Sequence, residues 1–223
     1  GAKVRDATKW ASYLNDSLRH VQNSEVVFNQ HHWPVWGAAN IQDFIVKQRD
    51  TYQFIHDQTV RQMNAGLNAA EIAENLRIPT SLDEHLSVRG YYGTVRHNVK
   101  AVYQNYMGWF DANPSNLDPL PPKDAAKKYI ELAGGEANAL KNAQQAYDKA
   151  EYRWAAEVLK HLVFNNPKNF QAKELLAKTY RQLGYSAEAS TWRNFYLSGA
   201  QELQGVTPVK NTSDLLGLFI HTP

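Results

Sequence analysis

The sequence contains no cysteine, so disulfide bonds, thiolate metal ligands and cysteine nucleophiles are all excluded. This absence leaves the cellular compartment open, because neither the cytosol nor the periplasm demands cysteine. A large excess of charge is also lacking, since 24 basic and 22 acidic side chains give a formal net charge of +2. Such a balance argues against nucleic acid as a partner.

Long apolar runs are missing as well. No stretch reaches the roughly 18 to 20 residues of a membrane-spanning helix, and residues 1–19 lack the charged-then-apolar layout of a signal peptide. The chain opens on a charged segment without an initial methionine, so we expect it to be a piece of a longer protein. Its 43% hydrophobic residues, with six tryptophans and twelve tyrosines, are sufficient for a real core in 223 residues.

The most informative stretch is a short β-branched and aromatic run that leads into two adjacent histidines. Residues 26–28 (Val-Val-Phe) predict a buried strand, and His31 and His32 follow it in a turn. Imidazoles at the end of a strand are well placed to bind Zn²⁺. The alternative is structural: two partly buried histidines packed by Trp33 and Trp36.

Most of the remaining chain carries helical patterns. Asp6 or Thr8 is placed to cap a first helix, and strand patterns disappear after the histidine turn. A long amphipathic helix is predicted over residues 38–64, with Gly66 near its end, and another strong helix over residues 94–109. We therefore expect a mainly α fold.

Between these two helices lie two capping boxes and a pair of tyrosines. The boxes pair Asn68 with Glu71 and Ser81 with Glu84, and each predicts the start of a short helix. Tyr91 and Tyr92 stand between Gly90 and Gly93, which indicates a turn held at close quarters. The tyrosines are either an aromatic staple at a helix start or phenol groups presented to a polar ligand.

The last third of the chain contains a repeat that follows a proline-rich connector. Three residues recur after 33 positions: Tyr147 as Tyr180, Tyr152 as Tyr185 and Ala156 as Ala189. This spacing resembles a tetratricopeptide repeat and predicts two stacked helical hairpins over residues 136–203, with a tight turn at Leu183 and Gly184. Two copies are fewer than a free-standing solenoid needs, so the pair should lean on the preceding helices.

Several motifs together resemble the zinc-dependent alkylsulfatases that hydrolyse dodecyl sulfate, of the metallo-β-lactamase superfamily. They are the Val-Val-Phe run with His-His-Trp-Pro, then Val-Arg-Gly-Tyr-Tyr-Gly-Thr-Val at residues 88–95, His-Asn-Val-Lys-Ala-Val-Tyr-Gln at 97–104, and Gly-Trp-Phe-Asp at 108–111. The resemblance covers essentially the whole chain. It implies hydrolysis of a primary alkyl sulfate to an alcohol and inorganic sulfate by the parent protein.

The resemblance also implies a division of the chain. Residues 1–37 would end a metallo-β-lactamase-type catalytic domain, leaving a short α/β remnant. Residues 38–205 would form the helical dimerisation domain with tetratricopeptide-like antiparallel hairpins. Residues 206–223 would be a linker and the start of a sterol-carrier-like domain, with a short helix near the end.

Site residues follow from the same resemblance. It implies two zinc ions in each full-length subunit, and His31 is the expected ligand from this chain, with His32 as the substitute. Tyr92 resembles a residue that the family uses near the sulfate, and Tyr91 and Arg89 are weaker candidates. No catalytic residue is assigned, because the family's His-x-His-x-Asp-His motif is absent from this sequence. We therefore expect the chain alone to be inactive and to bind zinc poorly.

The partners implied are an alkyl sulfate and a second copy of the chain. Exposed faces of the predicted helices over residues 39–64 and 94–109 are the expected dimer contacts. Periplasmic or secreted locations are compatible with the resemblance, since relatives often carry an upstream signal peptide. The alternative function is a non-catalytic helical repeat scaffold for protein–protein interaction.

Overall fold

The computed structural model describes residues 6–206, and the chain divides into two compact units, the first ending at Asp118 and the second beginning at Pro119. The described residues form ten α-helices and two short strands. In chain order these are α1 (Ala7–Ser17), β1 (Val26–Val27), β2 (Val35–Trp36), α2 (Ala38–Asn64), α3 (Ala69–Asn75), α4 (Thr80–Asp83), α5 (Val95–Met107), α6 (Pro122–Leu132), α7 (Glu136–Asp148), α8 (Tyr152–Asn165), α9 (Phe170–Ser186) and α10 (Ser190–Leu203). The prediction of a mainly helical fold is confirmed.

The first unit is organised on α2, whose 27 residues provide two separate apolar patches. Ile41, Phe44 and Ile45 near its start are buried against α1 and the two strands. Further along, Ile55 packs with residues of α3 and α5. Because the two patches follow each other on one straight element, α2 fixes the positions of everything that packs on it.

Helix α1 begins as its sequence predicts. Asp6 is the N-cap, and its carboxylate accepts a hydrogen bond from the Lys9 amide at 3.0 Å. The Trp10 ring meets the edge of Tyr52 on α2 with centroids 6.2 Å apart. The cap satisfies an amide that would otherwise lack a partner, and the ring contact sets α1 against α2.

The strand before the histidines is partly buried, and on one face only, so the prediction of a buried strand is wrong. It is two residues long and forms an antiparallel hairpin in which Val26 pairs with Trp36 and Val27 with Val35. Val27 and Val35 pack towards α2, whereas Val26 is 44% exposed and Phe28 is 79% exposed. Side chains alternate along a strand, so a hairpin lying on one helix can bury only one of its faces.

One of the two predicted capping boxes is present. The Asn68 side chain accepts from the Glu71 amide at 3.1 Å, and the Glu71 carboxylate accepts from the Asn68 amide at 2.8 Å. The box expected at Ser81 and Glu84 is wrong, because α4 already begins at Thr80 and Ser81 therefore lies inside the helix. The N-cap there is Pro79, which makes no side-chain cap bond.

The second unit consists of α6 to α10. Its core is built from fully buried leucines and alanines, and the alanines allow the helices to approach closely. The hydrophobic residues of this unit with no exposed surface are Ala126, Ala139, Ala143, Ala155, Leu159, Leu162, Ala172 and Ala177. Three-residue connections join α7 to α8 and α9 to α10, so the helices of each pair run in opposite directions. The predicted helical hairpins are therefore present, and their membership of the tetratricopeptide class stays a prediction.

The predicted repeat holds in the first hairpin and shifts in the second. Tyr147 and Tyr152 flank the α7–α8 connection, with ring centroids 5.3 Å apart. Tyr185 instead lies inside α9, because that helix continues to Ser186, so the turn expected at Leu183 and Gly184 is wrong. Gly184 serves close packing: a Cβ there would lie 3.0 Å from the Leu197 side chain on α10.

No helix among residues 6–206 is both long and apolar enough to cross a lipid bilayer. The linker and short helix expected near the end of the chain fall in residues 207–223, which lie outside the described residues.

Replacing Leu159 by alanine should destabilise the second unit. The side chain has no exposed surface and is surrounded by the alanine and leucine core, so its loss leaves a cavity. We expect Leu159→Ala to lower the unfolding free energy by about 2–5 kcal/mol in urea titrations followed by circular dichroism. Leu132→Ala is the matched control, because Leu132 is 84% exposed. Equal effects of the two substitutions would contradict this core.

Candidate functional site

Two turns of the first unit bring four of the predicted site residues together. His31 and His32 lie in the turn between β1 and β2, and Tyr91 and Tyr92 lie in the turn before α5. The His31 ring contacts the Tyr92 ring, and the His32 ring lies near the Tyr91 ring. Residues some sixty positions apart in the sequence thus form one surface site.

His31 has an unusual backbone conformation. Its φ angle of 68° lies in the left-handed region, which a residue with a Cβ seldom adopts. The imidazole is stacked on the Tyr92 ring, with centroids 3.8 Å apart and planes 11° from parallel. A strained backbone held by a ring contact is a feature that concentrates at functional sites.

His32 has an ordered ring with one nitrogen available. Its Nδ1 lies 2.7 Å from the Trp33 carbonyl oxygen, and since a carbonyl can only accept, Nδ1 donates its proton there. In the neutral ring Nε2 then carries the lone pair, which is the arrangement that metal-binding histidines use. The ring packs 4.9 Å from Phe44 of α2 and 6.4 Å from Tyr91.

The turn that carries the tyrosines is tight. A Cβ on Gly90 would lie 3.2 Å from the Gly93 carbonyl oxygen, so glycine allows this close approach. Burial raises the pKa of the Tyr91 phenol, which moves its ionisation still further above neutral pH. Tyr92 is 44% exposed. Arg89 ends the preceding short 3₁₀-helix, and its carbonyl accepts from the Tyr91 amide at 3.0 Å.

A hydrogen-bonded chain that the sequence analysis missed holds this turn on α2. His85 Nε2 lies 2.8 Å from the Asp43 carboxylate, and His85 Nδ1 lies 2.9 Å from the Ser87 hydroxyl. Gln48 of α2 also donates to the Ser87 carbonyl. The order Asp-His-Ser resembles a nucleophilic triad, but Ser87 is only 8% exposed and cannot reach a substrate. These hydrogen bonds therefore position the segment before Arg89. Asp43 and His85 are 42 positions apart, so no local pattern could reveal them.

The two histidines fit part of a zinc site. Residues 6–206 contain no cluster of three or more histidine, aspartate or glutamate side chains that could hold a metal. A stable zinc site uses roughly three or four protein ligands. The described residues can thus contribute imidazole nitrogen to such a site but cannot complete it.

The alternative interpretation of the histidines, packing by two tryptophans, does not match the structure. Trp33 is 75% exposed and Trp36 is 63% exposed, whereas the rings that contact the histidines are Phe44, Tyr91 and Tyr92. The histidine rings therefore face the tyrosine turn.

Residues 68–205, more than half of the chain, match the sequence model of the family described as alkyl sulfatase dimerisation. The chain belongs to this family. Membership of this family favours the interpretation of the chain as part of an alkyl sulfatase over the alternative of a non-catalytic helical scaffold. It also accounts for the motifs at residues 88–95 and 97–104, which lie inside the matched region.

Named relatives agree with this assignment. An alkyl/aryl-sulfatase of Saccharomyces cerevisiae is 52% identical over 95% of this chain and 33% of its own length. A linear primary-alkylsulfatase of a Pseudomonas species is 48% identical over 92% of this chain and 30% of its own length. The solved structure of a stereoselective inverting sec-alkylsulfatase from Pseudomonas superposes with a TM-score of 0.92 at 43% identity, covering 95% of this chain and 34% of that one. The chain thus spans about a third of the length of these relatives.

Removing the His85 ring should loosen the tyrosine turn. His85→Ala deletes both hydrogen bonds that join Asp43 and Ser87 through the ring. We expect amides of residues 86–92 to exchange with deuterium about tenfold faster, since each lost bond contributes around 1 kcal/mol. His20→Ala, at an exposed histidine, is the control. Unchanged exchange in the His85 variant would show that the chain of hydrogen bonds does not hold the turn.

Proposed function

We propose that this chain is the dimerisation part of an alkyl sulfatase and supplies one side of its active site. The parent enzyme hydrolyses alkyl sulfates, with primary esters such as dodecyl sulfate as the first substrate class to test. The observation that carries the proposal is the meeting of His31 and His32 with Tyr91 and Tyr92 in a member of this family. Similarity extends to relatives named for primary and for secondary esters, so the preference is decided by assay.

One imidazole of the histidine pair is the zinc ligand from this chain. His31 is the position that the family resemblance indicates, and its strained backbone supports a functional role. His32 has the better prepared ring, because its Nδ1 proton is donated to the Trp33 carbonyl and Nε2 is left with its lone pair. The remaining ligands of the two-zinc, metallo-β-lactamase-type site come from outside the described residues. Zinc would supply Lewis-acidic charge at the sulfate ester.

The tyrosine turn forms the substrate side of the same site. Tyr92 presents an exposed phenol whose ring is fixed against His31, so its hydroxyl is a suitable donor to a sulfate oxygen. Tyr91 is half-buried, which raises the pKa of its phenol, and its ring adds an apolar wall. Arg89, exposed at the start of the turn, supports the site with positive charge.

Replacing each histidine in turn by alanine identifies which of the two binds zinc. In the full-length enzyme, we expect one of His31→Ala and His32→Ala to reduce bound zinc by about one ion per subunit and to lower kcat/KM by about 100-fold or more. Zinc is counted by plasma mass spectrometry and activity by sulfate release from dodecyl sulfate. His20→Ala should leave both unchanged, because its ring lies outside the histidine turn. Full zinc content in both variants would overturn the metal assignment.

The second part of the proposal is a homodimer, which the family description supports. An apolar patch suited to it lies at the end of α5, one of the two helices expected to make the contact. Tyr106 is 54% exposed, Met107 47% and Trp109 75%. Contiguous exposed apolar side chains of this kind mark interaction surfaces.

Light scattering tests this surface. At a concentration on the order of 10 µM we expect the unmodified chain to be a dimer and Met107→Ser combined with Trp109→Ser to shift it to monomer, because interface anchors carry most of the association energy. Leu132→Ser removes an even more exposed apolar side chain elsewhere and should leave the dimer intact. If the unmodified chain is a monomer, the dimer proposal is wrong. If the double variant is still a dimer, the contact lies elsewhere on the surface.

A further inference from the structure

The second unit carries an open groove of about 920 Å³ that plays no part in the site described above. It lies between α8, α9 and α10, and the first turn of α6 reaches its edge. The lining residues are Lys123, Lys160, Val163, Phe164, Pro167, Lys173, Leu176, Tyr180, Phe195, Tyr196, Gly199, Glu202 and Leu203. We call it the lysine-rimmed groove. Its volume is at the upper end of the range for small-molecule sites.

The floor of the lysine-rimmed groove is apolar and partly exposed to solvent. Phe195 is 82% exposed and Phe164 is 47% exposed, although both belong to otherwise packed helices. Gly199 also lines the groove, and a Cβ there would make an ordinary contact with the Tyr180 ring at 3.4 Å. Exposed phenylalanines in a concave surface are suited to an apolar ligand.

The rim carries positive charge. Three lysines, Lys123, Lys160 and Lys173, and one carboxylate, Glu202, give the lining a net charge of +2, from three positive charges and one negative. Within residues 6–206, none of these three ammonium groups forms an ion pair, whereas Lys178 on the same helix as Lys173 pairs with Glu174 at 2.9 Å. Unpaired cations beside an apolar floor complement a ligand that has an anionic head and an apolar tail.

Two tyrosines, Tyr180 and Tyr196, are also among the lining residues. Burial is the main cause, and the neighbouring Tyr196 a smaller one, of a raised pKa at Tyr180, which moves the ionisation of this phenol still further above neutral pH. The two rings are 6.0 Å apart and tilted by 44°. Both rings carry a hydroxyl group, and Glu202 is the only carboxylate among the lining residues.

We propose that the lysine-rimmed groove binds a long-chain anionic amphiphile, with the alkyl chain on the phenylalanine floor and the anionic head at the lysines. The choice of an alkyl sulfate as that amphiphile rests on the proposed function. The groove itself performs no hydrolysis, because its lining contains no histidine and none of the zinc-site candidates. It is a second place at which the chain holds its amphiphile.

Calorimetric titration of the whole 223-residue chain, without zinc, tests this. Decyl sulfate is added below its micelle concentration, and circular dichroism confirms that the helices persist. We expect one saturable site, with affinity rising from octyl to decyl sulfate by up to about fourfold for each added methylene group. Decyltrimethylammonium, with the same chain and a positive head, should bind at least about tenfold more weakly.

Paired variants locate the binding. Lys160→Gln with Lys173→Gln should weaken decyl sulfate binding by about fivefold or more, whereas Lys141→Gln with Lys149→Gln removes the same charge from exposed positions of the α7 region and should not. Phe195→Ser should weaken it similarly, and Phe170→Ser, at a residue 74% exposed outside the groove, should not. The lysine variants and the Phe195 variant test the same site independently. If one of them folds poorly, the other still decides whether decyl sulfate binds in the groove.

Each outcome decides the matter. Saturable binding that is lost in the groove variants and kept in their controls supports the proposal. Binding at many equivalent sites, equal binding of the cationic amphiphile, or indifference to the groove variants overturns it. Self-association that Phe195→Ser abolishes, without amphiphile binding, would show that a second copy occupies the groove. None of these results depends on zinc or turnover, so failure here leaves the proposed function intact, and loss of that function leaves the groove measurable.

Discussion

The burial of one short apolar patch on α2 is the contact on which the first unit depends. Ile41, Phe44 and Ile45 hold the hairpin against the helix, and the polar side chains of Asp43 and Gln48 hold the segment before the tyrosine turn. About two turns of α2, from Ile41 to Gln48, therefore serve both halves of the site. Its apolar side fixes the histidines and its polar side fixes the tyrosines, so the two turns share a single rigid reference.

The second unit also depends on the packing of helices, and its packing leaves a groove open at the surface. Alanines at the helix contacts and the glycine Gly184 bring the helices close, and larger residues fill the core. Where the helices separate, Phe195 is left uncovered beside lysines. The distance between two packed helices depends on the size of the residues at their contact. This explains both the close contacts between the helices and the open groove beside them.

Local patterns in the sequence predicted local structure well. The cap at Asp6, the box at Asn68 and the bounds of α2 depend on neighbours within four residues, and all were confirmed. The burial of Phe28 and the helical state of Gly184 depend on what packs from elsewhere, and both were wrong. The candidate site residues are expected from a family resemblance and stay a prediction. The hydrogen bond between Asp43 and His85 could not be predicted, because a pair 42 positions apart leaves no periodic pattern in the sequence.

The stacking of His31 on Tyr92 has a kinetic consequence. The two rings belong to segments separated by the whole of α2, α3 and α4, so their contact closes a long loop of chain. Loop closure of this length is entropically costly and contributes to slow folding, whereas the helices between them can form from local contacts. The helical scaffold can therefore assemble while the rings are still apart. A nascent or partly unfolded chain would possess its helices before it possesses its site.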